Sequence, residues 1–156
     1  KGANNLAIVG IRTRGVVLAQ RIKNKIDTIE NIAIDLGILD ITLYRDDLAS
    51  GKINTVVEKT NIPFQLDGKQ IVLIDDVLFT GRTIRSAIDA LIDFGRPSTI
   101  QLGVLIDRGH RELPIRPDYV GKNIPTSRDS RVQVLLNEED GVDEVRIIDS
   151  STTINH

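Results

Sequence analysis

Residues 71–83 read IVLIDDVLFTGRT and decide the fold that we expect for the chain. The apolar run from Ile71 to Asp75 is typical of a strand buried in a parallel sheet, and it ends in two adjacent carboxylates. A polar turn with Gly81 follows, and apolar residues spaced three and four apart from about Ile84 to Phe94 predict a helix. A strand, a turn and a helix in this order predict an α/β unit whose polar residues lie at the carboxyl end of the strand.

The flanking sequence repeats this alternation of apolar runs and amphipathic stretches. A turn at Arg12 to Gly15 and a helix from Val16 to about Ile29 are expected near the start. The other expected strands are Leu6 to Ile11, Ile32 to Leu36, Ile38 to Tyr44, Thr99 to Ile106, Val132 to Leu136 and Val145 to Asp149. Two polar stretches, 45–61 and 108–131, predict a long loop and an irregular excursion. The expected fold class is therefore α/β, with an open, mainly parallel twisted sheet flanked by helices.

The amino-acid composition excludes several classes of protein. The chain has 156 residues, 40% hydrophobic and 27% charged, which is ordinary for one globular domain. It has no cysteine, so Cys-based zinc sites, thiol catalysis and disulfide scaffolds are excluded. No apolar run approaches the length of a membrane span and no signal peptide opens the chain. We therefore expect a cytoplasmic protein without a membrane partner.

Charge is unevenly distributed along the chain. The net charge of -2 argues against a nucleic-acid partner, because phosphate binding needs a basic surface. Residues 12–25 nevertheless carry five basic side chains and no acidic one, and residues 108–131 carry six Arg or Lys against three acids. A solvated basic face explains such clusters as well as a phosphate-binding surface does.

The turn after the central strand has the chemistry of a sugar-phosphate site. Thr80 to Thr83 precede the expected helix, so their backbone N–H groups and the helix dipole can hold a phosphate, and Gly81 permits close backbone approach. Asp75 and Asp76 lie about four residues upstream and can accept hydrogen bonds from sugar hydroxyls. A phosphate at one end and a vicinal diol at the other describe a ribose 5-phosphate.

Other interpretations of this stretch stay open at this point. The paired acids could form a plain metal site, or the stretch could be a solvated strand end with a helix cap. The dinucleotide pattern GxGxxG and the phosphate-loop pattern GxxxxGK[ST] are both absent from the sequence, so neither of those nucleotide folds is indicated.

Several motifs resemble one known family. VLIDDVLFTGRTIRSA resembles the phosphoribosyl pyrophosphate motif of the type I phosphoribosyltransferases. IRTRG, LDITLYRDDL and DRGHRELPIR resemble, more narrowly, the pyrimidine operon attenuation regulators that double as uracil phosphoribosyltransferases. The resemblance covers nearly the whole chain and departs at Ile38, where the family usually has an acid. Since the family carries roughly one more helix at its front, we expect this chain to be trimmed there.

The resemblance implies a fold and a set of site residues. It implies a single phosphoribosyltransferase domain over residues 1–156, in which 108–131 forms a small irregular hood over the base and Tyr44 to Asp47, with 45–61, a mobile cover. Asp75, Asp76 and Arg14 would be the catalytic residues, and the two aspartates would also help to hold Mg²⁺ indirectly, through substrate and water. The implied substrate-binding residues are Thr13, Arg14, Asp75, Asp76, Val77, Leu78, Phe79, Thr80, Gly81, Arg82, Thr83, Arg108 and Val132.

Within that set the resemblance divides the substrate among the residues. Thr13 and Arg14 match the pyrophosphate loop, and a guanidinium suits that task because it meets phosphate oxygens bidentately. Arg108 and the backbone at Val132 match positions that border uracil. Asp107, beside Arg108 at another strand end, is a candidate for a substrate contact or a structural ion pair.

The resemblance also implies partners. The substrates would be uracil and phosphoribosyl pyrophosphate, and the product would be UMP. The protein would also bind a leader mRNA hairpin of pyrimidine genes, and uridine nucleotides would tighten this binding. Arg111 and Arg116 fall at RNA-contact positions, and His110, Lys122 and Arg128 could extend that basic face; hood structure or solvated charge are the alternatives. A homodimer or higher homo-oligomer is expected.

Two other functions compete with this interpretation. A purine phosphoribosyltransferase would share the ribose-phosphate motif, and a nucleotide-sensing RNA regulator with vestigial catalysis would share the whole pattern. The low aromatic content of 3% argues against base-stacking platforms, so RNA recognition would rest on phosphate contacts, hydrogen bonds and RNA shape.

Overall fold

The computed structural model describes residues 3–41 and 60–149 of the chain. The elements in these ranges are β1 (Leu6–Ile11), α1 (Arg14–Glu30), β2 (Asp35–Leu39), β3 (Gln70–Leu78), α2 (Arg82–Ile92), β4 (Thr99–Asp107), β5 (Tyr119–Asn123), β6 (Arg131–Leu135), α3 (Asn137–Asp140) and β7 (Glu144–Ile148). None of these helices combines the length and the apolar character that crossing a membrane requires.

The main sheet is open and entirely parallel. Its five strands lie in the order β2-β1-β3-β4-β5, while β6 and β7 form a separate antiparallel ribbon. From β1 the chain first winds outward to β2 and then returns to the other side of β1 to form β3. The winding direction therefore reverses between β1 and β3, and ligands of open α/β sheets bind in the crevice beyond the carboxyl ends of the strands at such a point.

The core lies on both faces of the sheet, as the continuous apolar strands predict. Alternate side chains of β3 point to opposite faces. Ile71 and Leu73 pack with Ile84 and Leu91 of α2 on one face. Ile74 packs with Ala19 of α1 on the other. The sheet is therefore covered by one helix on each side.

Two glycines bring α1 into direct contact with the strands. A Cβ atom at Gly10 of β1 would lie 2.7 Å from the Gly15 carbonyl oxygen, and one at Gly15 would lie 2.5 Å from the carbonyl oxygen of Ile74. Both distances are far shorter than van der Waals contact, so neither position accepts a side chain without a backbone shift. The absence of Cβ atoms sets how closely the first turn of α1 approaches β1 and β3.

Two expectations about the strands were wrong in detail. Ile32 to Leu36 and Ile38 to Tyr44 were expected as two strands, but one strand, β2, runs through Gly37 over the part described. The central strand does not end at Asp75 but continues to Leu78. In the sequence, the polar residues Asp75 and Asp76 after an apolar run predict the end of a strand. In the structure, the backbone pairing with β4 resumes at Val77.

The excursion 108–131 is also more regular than expected. It contributes β5, which pairs in parallel with β4 and forms an edge of the main sheet. All five of its residues are exposed. The pattern in the sequence misses this strand because a solvated edge lacks the apolar alternation of a half-buried one.

We predict that Gly15→Ala lowers the free energy of unfolding by about 3 kcal/mol, since its methyl group would displace the β3 backbone. The matched control is Gly68→Ala, where a Cβ meets nothing within 4 Å and only the positive φ of 74° is unfavourable. That control should cost about 1 kcal/mol. Urea denaturation of both variants measures the difference, and equal losses would contradict the close approach of α1 to β3.

Candidate active site

The two adjacent aspartates lie inside β3. Asp75 is 7% exposed and its Oδ1 accepts a hydrogen bond from the backbone N–H of Asp76, at 2.8 Å. Asp76 is half-buried, and its Oδ1 accepts the N–H of Val77, also at 2.8 Å. Each carboxylate is therefore held by the amide that follows it.

Burial raises the pKa of Asp75 well above its ordinary value of 3.8, and the charge of Asp76 and a hydrogen bond between the two side chains raise it further. The site thus contains one buried carboxyl that resists ionisation beside a second that is half-buried. A protonated carboxyl can donate a hydrogen bond as well as accept one, so Asp75 can offer either function to a sugar hydroxyl.

The turn between β3 and α2 forms a concave loop at a helix N-terminus. Gly81 has φ of 96° and precedes the first helical residue, Arg82, whose N–H donates to Thr80 Oγ1 at 3.3 Å. The loop and the first turn of α2 line a cavity of about 470 Å³. N–H groups at a helix N-terminus attract anions, so the structure brings the expected phosphate-binding residues into one suitable concavity. Its lining residues include Val77, Leu78, Phe79, Thr80, Gly81, Arg82 and Thr83.

The turn after β1 lies at the same edge of the sheet. The peptide bond between Arg12 and Thr13 is cis, Thr13 is exposed, and Arg14 begins α1. The Arg14 guanidinium donates to Asp140 of α3, from Nη2 to Oδ1 at 2.7 Å and from Nε to Oδ2 at 3.2 Å. These hydrogen bonds raise the pKa of Arg14, and the charge of Asp76 adds to the effect. The charge of Asp76 in β3 therefore acts on Arg14.

Arg108 is a buried cation at the end of β4. Only 6% of it is exposed, and its guanidinium carbon lies 4.0 Å from the centroid of the Phe79 ring. Nη2 donates to the Ser127 carbonyl at 3.0 Å, while the buried Nε has no hydrogen-bond partner among the described residues. Burial lowers the pKa of the guanidinium. Val132, the other residue expected to border the base, is half-buried in β6 against Ile106 of β4.

Residues 111–113 are hydrogen-bonded to the loop between β3 and α2, which contains the expected phosphate-binding residues. The N–H groups of Glu112 and Leu113 both donate to the Thr80 carbonyl, at 2.9 and 3.1 Å. The Arg111 side chain donates to the carbonyl of Phe79 at 2.7 Å, and the Glu112 carboxylate pairs with Arg82 Nε at 2.8 Å. The DRGHRELPIR motif thus supports the loop from outside.

The candidate RNA-contact residues divide into internal and exposed ones. Arg111 also pairs with Asp107 at 2.8 Å, which gives Asp107 the structural ion pair that was one of its two expected roles. His110 Nε2 makes a hydrogen bond to the Thr126 carbonyl, and its ring lies edge-on to Phe79. Arg116 is exposed and makes no hydrogen bond or ion pair within the described residues.

Sequence reasoning missed two acids that contact the candidate residues. Asp140 holds Arg14 and Glu112 holds Arg82, and each partner is distant in the chain. No spacing rule connects such residues, so the sequence carries no signal for either contact. The expected cover at Tyr44 to Asp47, with most of the loop 45–61, lies outside the described residues.

We predict that Asp75→Asn stabilises the protein at neutral pH by about 1 kcal/mol, because the buried charge is removed while an amide oxygen can still accept the Asp76 N–H. A carboxyl whose pKa is raised on folding reduces stability as the pH rises from its unfolded pKa to its folded one. The gain should therefore disappear near pH 3 and grow towards pH 8. Urea denaturation across this range measures it, and a uniform loss of stability would contradict the burial argument.

Comparison with known proteins identifies the family. Residues 1–138 match the model of the phosphoribosyl transferase domain. The chain is 58% identical over 156 residues to "Bifunctional protein PyrR" of Acetivibrio thermocellus, covering 100% of this chain and 85% of the relative. It is 55% identical over 149 residues to the protein of the same name from Deinococcus radiodurans, covering 96% and 81%.

A solved structure agrees with the fold. The hypoxanthine phosphoribosyltransferase of Trypanosoma cruzi in complex with IMP superposes with a TM-score of 0.66, at 14% identity, over 99% of this chain and 77% of that one. At that identity the likeness supports the architecture alone. The family model and the close relatives go further, and on their evidence the chain belongs to the phosphoribosyltransferase family.

Proposed function

We propose that the protein transfers a ribose 5-phosphate group from phosphoribosyl pyrophosphate to uracil, forming UMP and pyrophosphate. The observation that carries the proposal is the arrangement at the switch point of the sheet. A carboxylate pair, a helix N-terminus suited to phosphate and an arginine at the start of α1 share one edge. Family membership and 55% identity to a protein named as bifunctional support it.

In this proposal each group of residues binds one part of the substrate. Asp75 and Asp76 accept the ribose hydroxyls, and residues 80–83 bind the 5-phosphate through backbone N–H groups and threonine hydroxyls. Thr13 and Arg14 bind the pyrophosphate. The assignment fits the cavity at the start of α2 and the influence of Asp76 on Arg14.

The reaction needs no covalent nucleophile. The bond between C1 of the ribose and the pyrophosphate oxygen breaks as the bond from C1 to a uracil nitrogen forms, and the transition state has oxocarbenium character. The proton of that nitrogen is released to the pyrophosphate or to water. Arg14 stabilises the negative charge that develops on the leaving pyrophosphate, while the aspartates and the phosphate-binding loop hold the ribose in place. Catalysis is then mainly positioning together with charge stabilisation.

The donor set fits Mg²⁺ held largely by the substrate. The described residues contain no group of three or more His, Cys, Asp or Glu side chains able to hold a metal ion by themselves. Mg²⁺ commonly binds through one or two carboxylates together with substrate phosphates and water, and Asp75 and Asp76 provide two carboxylates. The ion would neutralise charge on the pyrophosphate.

Uracil is proposed to lie between Arg108 and the β6 backbone at Val132. An arginine that is 6% exposed with an unpaired Nε is costly unless a ligand completes its hydrogen bonds. A base carbonyl supplies such an acceptor. A screen of uracil, hypoxanthine and guanine as acceptors separates this proposal from a purine transferase.

We propose as a second function that the protein binds a leader mRNA hairpin of pyrimidine genes in response to uridine nucleotides. The hydrogen bonds between the hood and the phosphate-binding loop favour this function. Residues 111–113 contact the phosphate-binding loop directly, and Arg116 a few residues on is exposed and unpaired in the described structure. A nucleotide that orders the loop would therefore order the hood beside Arg116. This arrangement supports regulation by a nucleotide.

The proposal extends to assembly and location. Exposed apolar side chains on the edge strand β5 and on β7 include Tyr119, Val120, Val145 and Ile147. Such surface favours a homodimer or a higher homo-oligomer. Free nucleobases and leader mRNA are cytoplasmic ligands in bacteria, so we infer action in the cytoplasm.

We expect Asp76→Asn to lower kcat for UMP formation by about 10²-fold or more while the fold stays intact, since the substitution removes a charge from the site. Steady-state kinetics with uracil and phosphoribosyl pyrophosphate measure the loss, and circular dichroism checks the fold. Unchanged turnover would reject the role of Asp76.

We expect Arg116→Ala to weaken leader RNA binding while uracil turnover stays unchanged. The number of counterions released on RNA binding, which the salt dependence of the affinity measures, should fall by about one. Arg111→Ala should instead lower the free energy of unfolding by about 2–3 kcal/mol, because the Phe79 carbonyl and Asp107 lose their partner. Filter binding over a salt series and urea denaturation separate the two. Equal effects on RNA binding without a stability change would make Arg111 a direct contact.

A further inference from the structure

Arg14 is held along one edge of its guanidinium group. Nε and Nη2 donate in parallel to the two carboxylate oxygens of Asp140, at 3.2 and 2.7 Å. A guanidinium has five N–H donors, and this bidentate pair takes two of them. The described residues accept no hydrogen bond from Nη1, so the end of the group, formed by Nη1 and the second hydrogen of Nη2, is available to another acceptor.

Asp140 is itself fixed by the backbone. Its Oδ2 accepts the N–H of Leu136 at 2.8 Å, and its own N–H donates to the Leu136 carbonyl at 2.7 Å. Leu136 is 3% exposed and packs with Ile106 and Val134 in the core beneath the β6–β7 ribbon. The acceptor that holds Arg14 is therefore anchored in the core rather than on a free surface side chain.

We propose that Asp140 is a positioning residue, which holds Arg14 by one edge of its guanidinium so that the opposite end can bind pyrophosphate bidentately. This inference rests on the proposed function, which places pyrophosphate at Arg14. Asp140 contacts no substrate in this arrangement. Because Asp140 restricts Arg14 in advance, Arg14 loses less conformational entropy when it stabilises the charge on the leaving group.

A purely structural role for the Asp140 contact is the alternative, and the chain contains a matched control for it. Arg21 lies two turns further along the same face of α1 and donates to Glu138 and Asp143, with Nη2 to Asp143 Oδ1 at 2.8 Å. Both arginines thus attach α1 to the α3 region. Only Arg14 is also influenced by a site carboxylate, Asp76.

The first test compares Asp140→Asn with Glu138→Gln in steady-state kinetics. Asparagine keeps a carbonyl for the Leu136 N–H but loses the charge and one acceptor for Arg14. We expect kcat of Asp140→Asn to fall at least 10-fold. KM for phosphoribosyl pyrophosphate should change less than about threefold, because the loss of the Asp140 charge makes the site one charge more positive. Glu138→Gln should leave both constants unchanged. Equal kcat losses in the two variants, or unchanged kcat in Asp140→Asn, would overturn the proposal.

The second test does not depend on turnover. Calorimetric titration with inorganic pyrophosphate in the presence of Mg²⁺ gives the effect of Arg14→Ala in two backgrounds. We expect a loss of affinity of about 10-fold with Asp140 present and of less than about threefold in Asp140→Asn. The same loss in both backgrounds would overturn the positioning role. An inactive wild type that still shows the expected coupling would reject the transferase proposal and support the positioning of Arg14.

Discussion

The contact between the first helix and the strand backbones is the constraint on which the candidate site depends. Gly10 and Gly15 leave no Cβ atoms between α1 and the β1 and β3 backbones, where a methyl group at Gly15 would lie 2.5 Å from the Ile74 carbonyl. The first turn of α1 therefore lies beside Asp75 and Asp76. A side chain at either glycine would force these backbones apart and so shift Arg14 relative to the carboxylates.

The site also contains a buried carboxyl whose ionisation is unfavourable. Asp75 is buried beside a second carboxylate, and both its desolvation and its neighbour raise its pKa. A core residue selected for stability alone would be apolar at this position, since the adjacent β3 residues Leu73 and Ile74 are. Buried groups with such perturbed pKa values concentrate at functional sites. The physical cost at Asp75 is thus consistent with the binding role that we propose for this edge.

The part of the fold that follows from local pattern could be predicted, and the part that depends on distant partners could not. The β3 strand, the loop at Gly81 and helix α2 follow from apolar runs and spacing, and the structure confirms them with shifted boundaries. The edge strand β5 has no such pattern, because its side chains are exposed on both faces. The partner of Arg14 is 126 residues away, a distance over which no sequence periodicity operates. Residue types indicated that Arg14 and Arg111 bind acceptors, but only the packed chain shows which acceptors they have.

The hydrogen bonds between residues 111–113 and the loop between β3 and α2 limit how this surface can evolve. Two N–H groups of the hood share the Thr80 carbonyl, and Arg111 holds the carbonyl of Phe79. Substitutions at 111–113 would disturb the loop between β3 and α2 at the same time. Exposed positions such as Arg116 and Lys122 carry no such penalty. Divergence of specificity among relatives should therefore accumulate at the rim of the hood before it reaches the hydrogen-bonded segment.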